Sequence, residues 1–227
     1  MQICDDTNLK NDIYVIDFYT IKNTSNIIIF SELCQILKDI FENQNIKKIF
    51  FDGRSDLLSL HKELKIWTKN FIDLSSLYNV VNSYEKQHEF KKISKEEKSP
   101  KNFIKCLNVC KQNYYMRGLN TVLKEYHSKN VSNPLKSKYH RLFDEKDFYF
   151  WTQRPIDKEF LLYAALDVKY EFDAYNNLKN KLKTILENLY NINNISENNI
   201  DLIILLISCP NHISACNNRL NNIKNNK

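Results

Sequence analysis

Two glycines in 227 residues leave this chain few places to reverse direction tightly. Hairpin turns lean on glycine because it reaches positive φ without steric cost. A sandwich or barrel with many tight turns is therefore not expected. Four prolines do not make up the shortfall, while Leu, Ile and Lys are plentiful, so helix should dominate. The length suffices for one α/β domain with a sizeable core. Hydrophobic residues at 43% and charged residues at 26% are ordinary for a globular chain.

The net charge of +6 is compatible with a polyanionic partner without identifying one. Part of it reflects a composition rich in Lys and Asn. The N-terminus, Met-Gln-Ile-Cys-Asp-Asp, has neither the basic region nor the apolar run of a secretory signal. The six cysteines (Cys4, Cys34, Cys106, Cys110, Cys209 and Cys216) are thus expected as reduced thiols of an intracellular protein. The longest apolar run, Leu202 to Ile207, is far too short to span a membrane.

Ile13 to Phe18 is rich in β-branched and aromatic residues and reads as a strand, with Met1 to Cys4 a second short strand paired to it. Leu33, Ile36, Leu37, Ile40 and Phe41 have helical spacing, with Ser31 as the expected cap. Lys48 to Phe51 is a short strand closed by Asp52-Gly53, and Asp56 to Leu64 a helix. A further short strand or strand-to-helix junction is expected from Asn70 to Leu74, then a helix from Ser75 to Tyr84. Lys91 to Lys101 mixes charges without an apolar period and reads as an exposed loop. A helix should start near Arg117-Gly-Leu-Asn and reach His127. Asp157, after Pro155, is expected to cap one long helix from Lys158 to about Leu189. The organisation expected is a domain over residues 1–190 and an Asn-rich extension over 191–227 with one apolar segment, Ile200 to Ile207.

Tyr163 and Asp167 stand four residues apart, which places them on one helix face a turn apart. A carboxylate can hold a divalent cation and a phenol beside it can position a water. Such a pair is common, so spacing alone assigns no role. Elsewhere, Cys209, His212 and Cys216 are three possible zinc ligands where a structural site needs four. Cys106 and Cys110 read as ordinary thiols. His61 lies five residues from Asp56, so it points away from that carboxylate.

The surrounding residues say more. Trp151-Thr-Gln-Arg-Pro-Ile followed by Tyr163-Ala-Ala-Leu-Asp-Val168 resembles the third exonuclease motif of ribonuclease D-like 3′–5′ exonucleases, departing only at Ile156. Earlier segments agree in order. Ile49-Phe-Phe-Asp-Gly-Arg-Ser-Asp56 resembles the second motif, Phe71-Ile-Asp73 the following strand, Gly118-Leu119 a helix opening, and Asn133-Pro-Leu-Lys136 the place of a lysine before the Trp. The resemblance covers roughly residues 1–185.

It implies a ribonuclease H-like α/β fold: a mixed sheet flanked by helices, with a helical C-terminal half. It also implies phosphodiester hydrolysis from the 3′ end of RNA or single-stranded DNA, with two Mg2+ or Mn2+ ions. By position, Asp56 and Asp167 would be metal ligands and Tyr163 would orient or help deprotonate the water. Arg54, Lys136 and Arg154 become candidate phosphate contacts, Arg154 equally a loop anchor. The family's first motif, Asp-x-Glu on a central strand, has no match. Asp17-Phe-Tyr19 has Tyr where Glu is needed, and Asp17 aligns better as a strand-end residue. The first central strand is therefore expected to be absent and activity weak. The rival expectation is a catalytically inactive relative that binds RNA or a protein partner.

Overall fold

A computed structural model describes residues 1–5, 12–23, 27–90, 117–145, 149–190 and 194–208, with the backbone alone at 86–90, 189 and 190. The charged segment Lys91 to Lys101, Cys106, Cys110 and the Cys209–His212–Cys216 group lie outside the described residues. The chain forms two compact units, residues 1–37 with 119–174 and residues 38–118 with 175–227.

In the first unit, β1 (Gln2–Asp5) pairs antiparallel with β2 (Asp12–Val15), with Gln2 opposite Val15 and Asp5 opposite Asp12. The expected pairing is present, but the strand stops before Phe18. Asp17 captures the Thr20 N–H (3.1 Å) and the Thr20 hydroxyl (2.6 Å). That is a helix-capping arrangement, and α1 (Phe18–Asn23) begins there. The next helix, α2 (Ile27–Phe41), starts a turn earlier than Ser31. Phe30, Cys34, Leu37 and Phe41 repeat at helical spacing and Leu37 and Phe41 are buried, while Ile27, Ile28 and Ile29 of the added first turn are exposed.

The rest of this unit is α5 (Leu119–Tyr126), α6 (Lys136–Asp144), α7 (Tyr149–Thr152) and α8 (Lys158–Lys169), counting onward from α3 (Arg54–Leu64) and α4 (Leu74–Phe90) of the second unit. Asp157 caps α8 as expected, its Oδ1 accepting from the N–H groups of Glu159 (2.6 Å) and Phe160 (3.2 Å). The single long helix is not found. Tyr170 leaves helical geometry (φ −109°, ψ 0°), so α8 ends and α9 (Glu171–Tyr190) begins. The Tyr170 ring packs edge-on against His127 at 5.2 Å, a contact that local sequence does not announce. Helix α8 lies against both strands of the sheet.

In the second unit, β3 (Lys48–Phe50) and β4 (Phe71–Asp73) are parallel, with Ile49 opposite Ile72. Helix α3 (Arg54–Leu64) connects them and α4 (Leu74–Phe90) follows β4 directly. This βαβ arrangement is the α/β element the sequence suggested. Ile72, Leu74, Leu77, Tyr78 and Val81 are buried together with Leu178 and Leu182 of α9. Residues 197–208 form a last helix, α10, whose buried face carries Ile200, Ile204 and Ile207. The Ser208 hydroxyl accepts the backbone N–H of Asp73 (3.0 Å) and donates to the Ile204 carbonyl (2.9 Å). Lys179 reaches Glu197 (2.7 Å) and Asp201 (2.8 Å), tying α10 to α9.

Among the described residues the strands form two two-stranded sheets, one in each unit. The fold is a mixed α/β one with a reduced sheet and a predominance of helix. No described helix is long and apolar enough to cross a membrane.

Candidate active site

Tyr163 and Asp167 stand one turn apart on α8, as their spacing requires. The Tyr163 ring is clamped in an aromatic cluster. Tyr139 stacks on it at 4.6 Å between centroids, and Phe160 lies 5.9 Å away. Trp151 meets Phe160 edge-on at 5.0 Å, so the Trp of the motif supports the group that holds the tyrosine. Burial first, and the Asp167 carboxylate second, push the Tyr163 phenol far above its ordinary value. The phenol therefore stays protonated at physiological pH and hydrogen-bonds to Asp167.

Asp167 is held from the side opposite in sequence. Its Oδ1 accepts from Asn133 Nδ2 at 2.9 Å and from Lys136 Nζ at 2.9 Å. Asn133 is only 1% exposed. Its Nδ2 also donates to the Tyr163 carbonyl (3.0 Å), and its Oδ1 accepts the Leu135 N–H (3.1 Å). Asn120 grips the Asn133 backbone at both ends, accepting its N–H (2.8 Å) and donating to its carbonyl (2.9 Å). A buried amide with every group paired fixes both the turn before α6 and the carboxylate. Sequence reading passed over Asn133 as a site residue. Its only signal was a place three residues before Lys136.

Lys136, a candidate phosphate contact, thus meets Asp167. Arg154, the second, is bound to Asp17, with Nε 2.7 Å from Asp17 Oδ2. It also donates to the Trp151 (3.1 Å) and Gln153 (2.7 Å) carbonyls and lies over the Tyr19 ring at 5.0 Å. The Arg154 guanidinium beside it holds the Asp17 carboxyl down at about 2. These bonds are those of a loop anchor, and they occupy Asp17 as a structural acid.

In the second unit the turn Asp52-Gly53 delivers Asp56 to the first turn of α3. Asp52 sits at φ 52°. A Cβ on Gly53 would lie 2.7 Å from the Phe50 Cβ, so only glycine fits between strand and helix. Buried Asp73 secures the turn. Its Oδ1 accepts from the Asp52 N–H (3.3 Å), the Ser75 N–H (2.9 Å) and the Ser75 hydroxyl (2.6 Å). Arg54, the third candidate, pairs with Asp52. Asp56 is exposed to solvent, yet the protein mass near its carboxyl, then Asp52 and Asp73, lift it above the ordinary value. A carboxylate crowded by like charges gains from a cation.

Asp56 and Asp167 suit magnesium or manganese in donor type, since both ions prefer oxygen. The number is short: among the described residues no three His, Cys, Asp or Glu side chains gather where an ion could be held.

Residues 1–183 match the 3′–5′ exonuclease domain family, and the chain belongs to that family. The crystal structure of Trypanosoma brucei RNase D in complex with GMP shares its fold, with a TM-score of 0.51 and 18% identity. The match covers 86% of this chain and 53% of that one, so the chain spans about half the length of that protein. No curated protein matches the chain.

Proposed function

We propose that this chain acts on the 3′ end of RNA or single-stranded DNA as a 3′–5′ exonuclease, with Asp56, Tyr163 and Asp167 as its catalytic groups. The observation that carries this is the Tyr163–Asp167 pair, held rigid by Tyr139 stacking and by Asn133 within a family match over residues 1–183. Asp56 and Asp167 would hold Mg2+ or Mn2+, which when bound supplies water activation and stabilisation of the leaving 3′ oxygen. Tyr163, kept protonated by burial, presents its hydroxyl to orient the attacking water rather than to remove its proton. Asn133 keeps Asp167 in place.

One observation favours a second reading, an inactive relative that binds nucleic acid. Lys136 Nζ lies 2.9 Å from Asp167 Oδ1, so that carboxylate already has a counter-charge. The test is single-stranded RNA labelled at its 5′ end, incubated with the purified 227-residue chain and Mg2+ or Mn2+. The exonuclease reading expects a slow ladder shortening from the 3′ end, abolished in Asp167→Asn and by chelation. Tight binding with an intact substrate would support the second reading and reject the first.

A further inference from the structure

The start of α3 is held from outside the helix. Gly53, the residue before it, has no side chain, and no side-chain hydrogen bond caps the first turn. Asp52 keeps a positive φ of 52°. A residue with a side chain stays in that region only where its surroundings fix it. The Asp73 carboxylate helps to fix it, its Oδ1 accepting the Asp52 N–H at 3.3 Å. Asp56 lies in the first turn of α3, so its carboxylate goes where this turn goes.

Asp73 is itself placed by α10. Its backbone N–H donates to the Ser208 hydroxyl at 3.0 Å, and that hydroxyl donates onward to the Ile204 carbonyl at 2.9 Å. Asp73 and Ser208 are both 0% exposed. Removing the hydroxyl would take a partner from a buried N–H at the end of β4, and buried backbone groups are costly to leave unpaired.

A second contact sets α10 on the same pair of strands. Asp201, seven residues and two turns before Ser208, accepts from Lys47 Nζ at 3.0 Å. Lys47 immediately precedes β3. The helix therefore meets one strand where it begins and the other where it ends, with Ile200, Ile204 and Ile207 buried on its inner face. Helix α10 lies beyond residue 183, so this support comes from outside the residues that match the family.

We propose that Ser208 is a positioning residue for Asp56, acting through Asp73 and the Asp52-Gly53 turn, and that α10 is a working part of the exonuclease unit. The proposal rests on the role given to Asp56 above, and on no bound ion.

The test compares Ser208→Ala with Ser208→Thr, which keeps a hydroxyl, and with Ile200→Val, which loosens α10 two turns away and leaves Ser208 intact. Amide hydrogen exchange of the full chain, followed by NMR, should be about tenfold faster at Asp52 in Ser208→Ala, the equivalent of one lost hydrogen bond. Amides of the β1–β2 pair should keep their wild-type rates, and so should Asp52 in the other two variants. In single-turnover shortening of 5′-labelled RNA, Ser208→Ala should be about tenfold slower with RNA affinity unchanged, as misplacement of a reacting group requires. Ser208→Thr should recover the rate. Should Ser208→Ala fail to fold by circular dichroism, Ser208→Cys gives the same reading, since a thiol fills the space and bonds weakly. The proposal is overturned if exchange at Asp52 is unchanged, if Ile200→Val speeds it equally, or if Ser208→Ala shortens RNA at the wild-type rate. RNA left intact by wild type would reject the exonuclease reading alone, because the exchange rates still decide whether Ser208 holds the turn that carries Asp56.

Discussion

Asp167 and Asp56 are both carboxylates delivered by helices, but their surroundings differ in sign. Asp167 receives an ammonium and an amide on one oxygen. Asp56 is crowded by Asp52 and Asp73, which help to lift its carboxyl above the ordinary range. The first carboxylate is neutralised from within by Lys136. The second is raised first by desolvation and then by Asp52 and Asp73, with Asp52 itself paired to Arg54. Two acids read as equivalent metal ligands from sequence thus have different charged neighbours: Asp167 meets Lys136, 31 residues away, and Asp56 meets Asp52, four residues away.

Several changes would break or sharpen this contrast. Asn133→Ala has the largest expected effect. It strips a buried amide from Asp167, from the Tyr163 carbonyl and from the turn before α6. A loss of about 2–4 kcal/mol in urea unfolding is expected, and a loss under about 0.5 kcal/mol would show that Asn133 does not organise the site. Gly53→Ala should cost about 1–3 kcal/mol because its Cβ would press on the Phe50 Cβ at 2.7 Å. It should also disturb Asp56 and leave the Tyr163 ring contacts intact, which aromatic NMR shifts can follow.

A smaller effect concerns Asp17 and Arg154. The folded Asp17 value of about 2 lies below the ordinary 3.8. Its contribution is therefore full above about pH 4 and lost as pH falls toward 2. Because the pair is partly exposed, about 1 kcal/mol is expected after screening. Arg154→Met should flatten that part of the acid unfolding profile, and an unchanged profile would remove the anchor role. The smallest effect is Asp52→Asn, which takes a like charge from Asp56. The Asp56 carboxyl should titrate lower by carbon-detected NMR, and an unchanged midpoint would mean that burial alone raises it.

Local chemistry was legible wherever both partners lay within a few residues. The Tyr163–Asp167 spacing, the Asp157 cap and the Asp52-Gly53 turn could all be read directly. The β1–β2 pairing needed only two strands joined by a short polar stretch. What stayed hidden was set by distant partners. Arg154 reads from sequence as either an anchor or a phosphate contact, and its partner Asp17 lies 137 residues away. Asn133 reaches Asp167 across 34 residues. The break at Tyr170 comes with a ring contact to His127, 43 residues earlier, which local helix signals do not carry. The mixed α/β architecture was legible, whereas the reduction of its sheet to two pairs among the described residues was not.

The central claim is that Asp56 and Asp167, for all their opposite surroundings, serve one reaction at a nucleic-acid 3′ end. The direct measurement sets Asp56→Asn and Asp167→Asn beside wild type, each checked for folding, in single-turnover shortening of 5′-labelled RNA with Mn2+. The account predicts a 3′ ladder for wild type and a loss of about a hundredfold or more in each variant. A ladder that persists in either variant at the wild-type rate would contradict it.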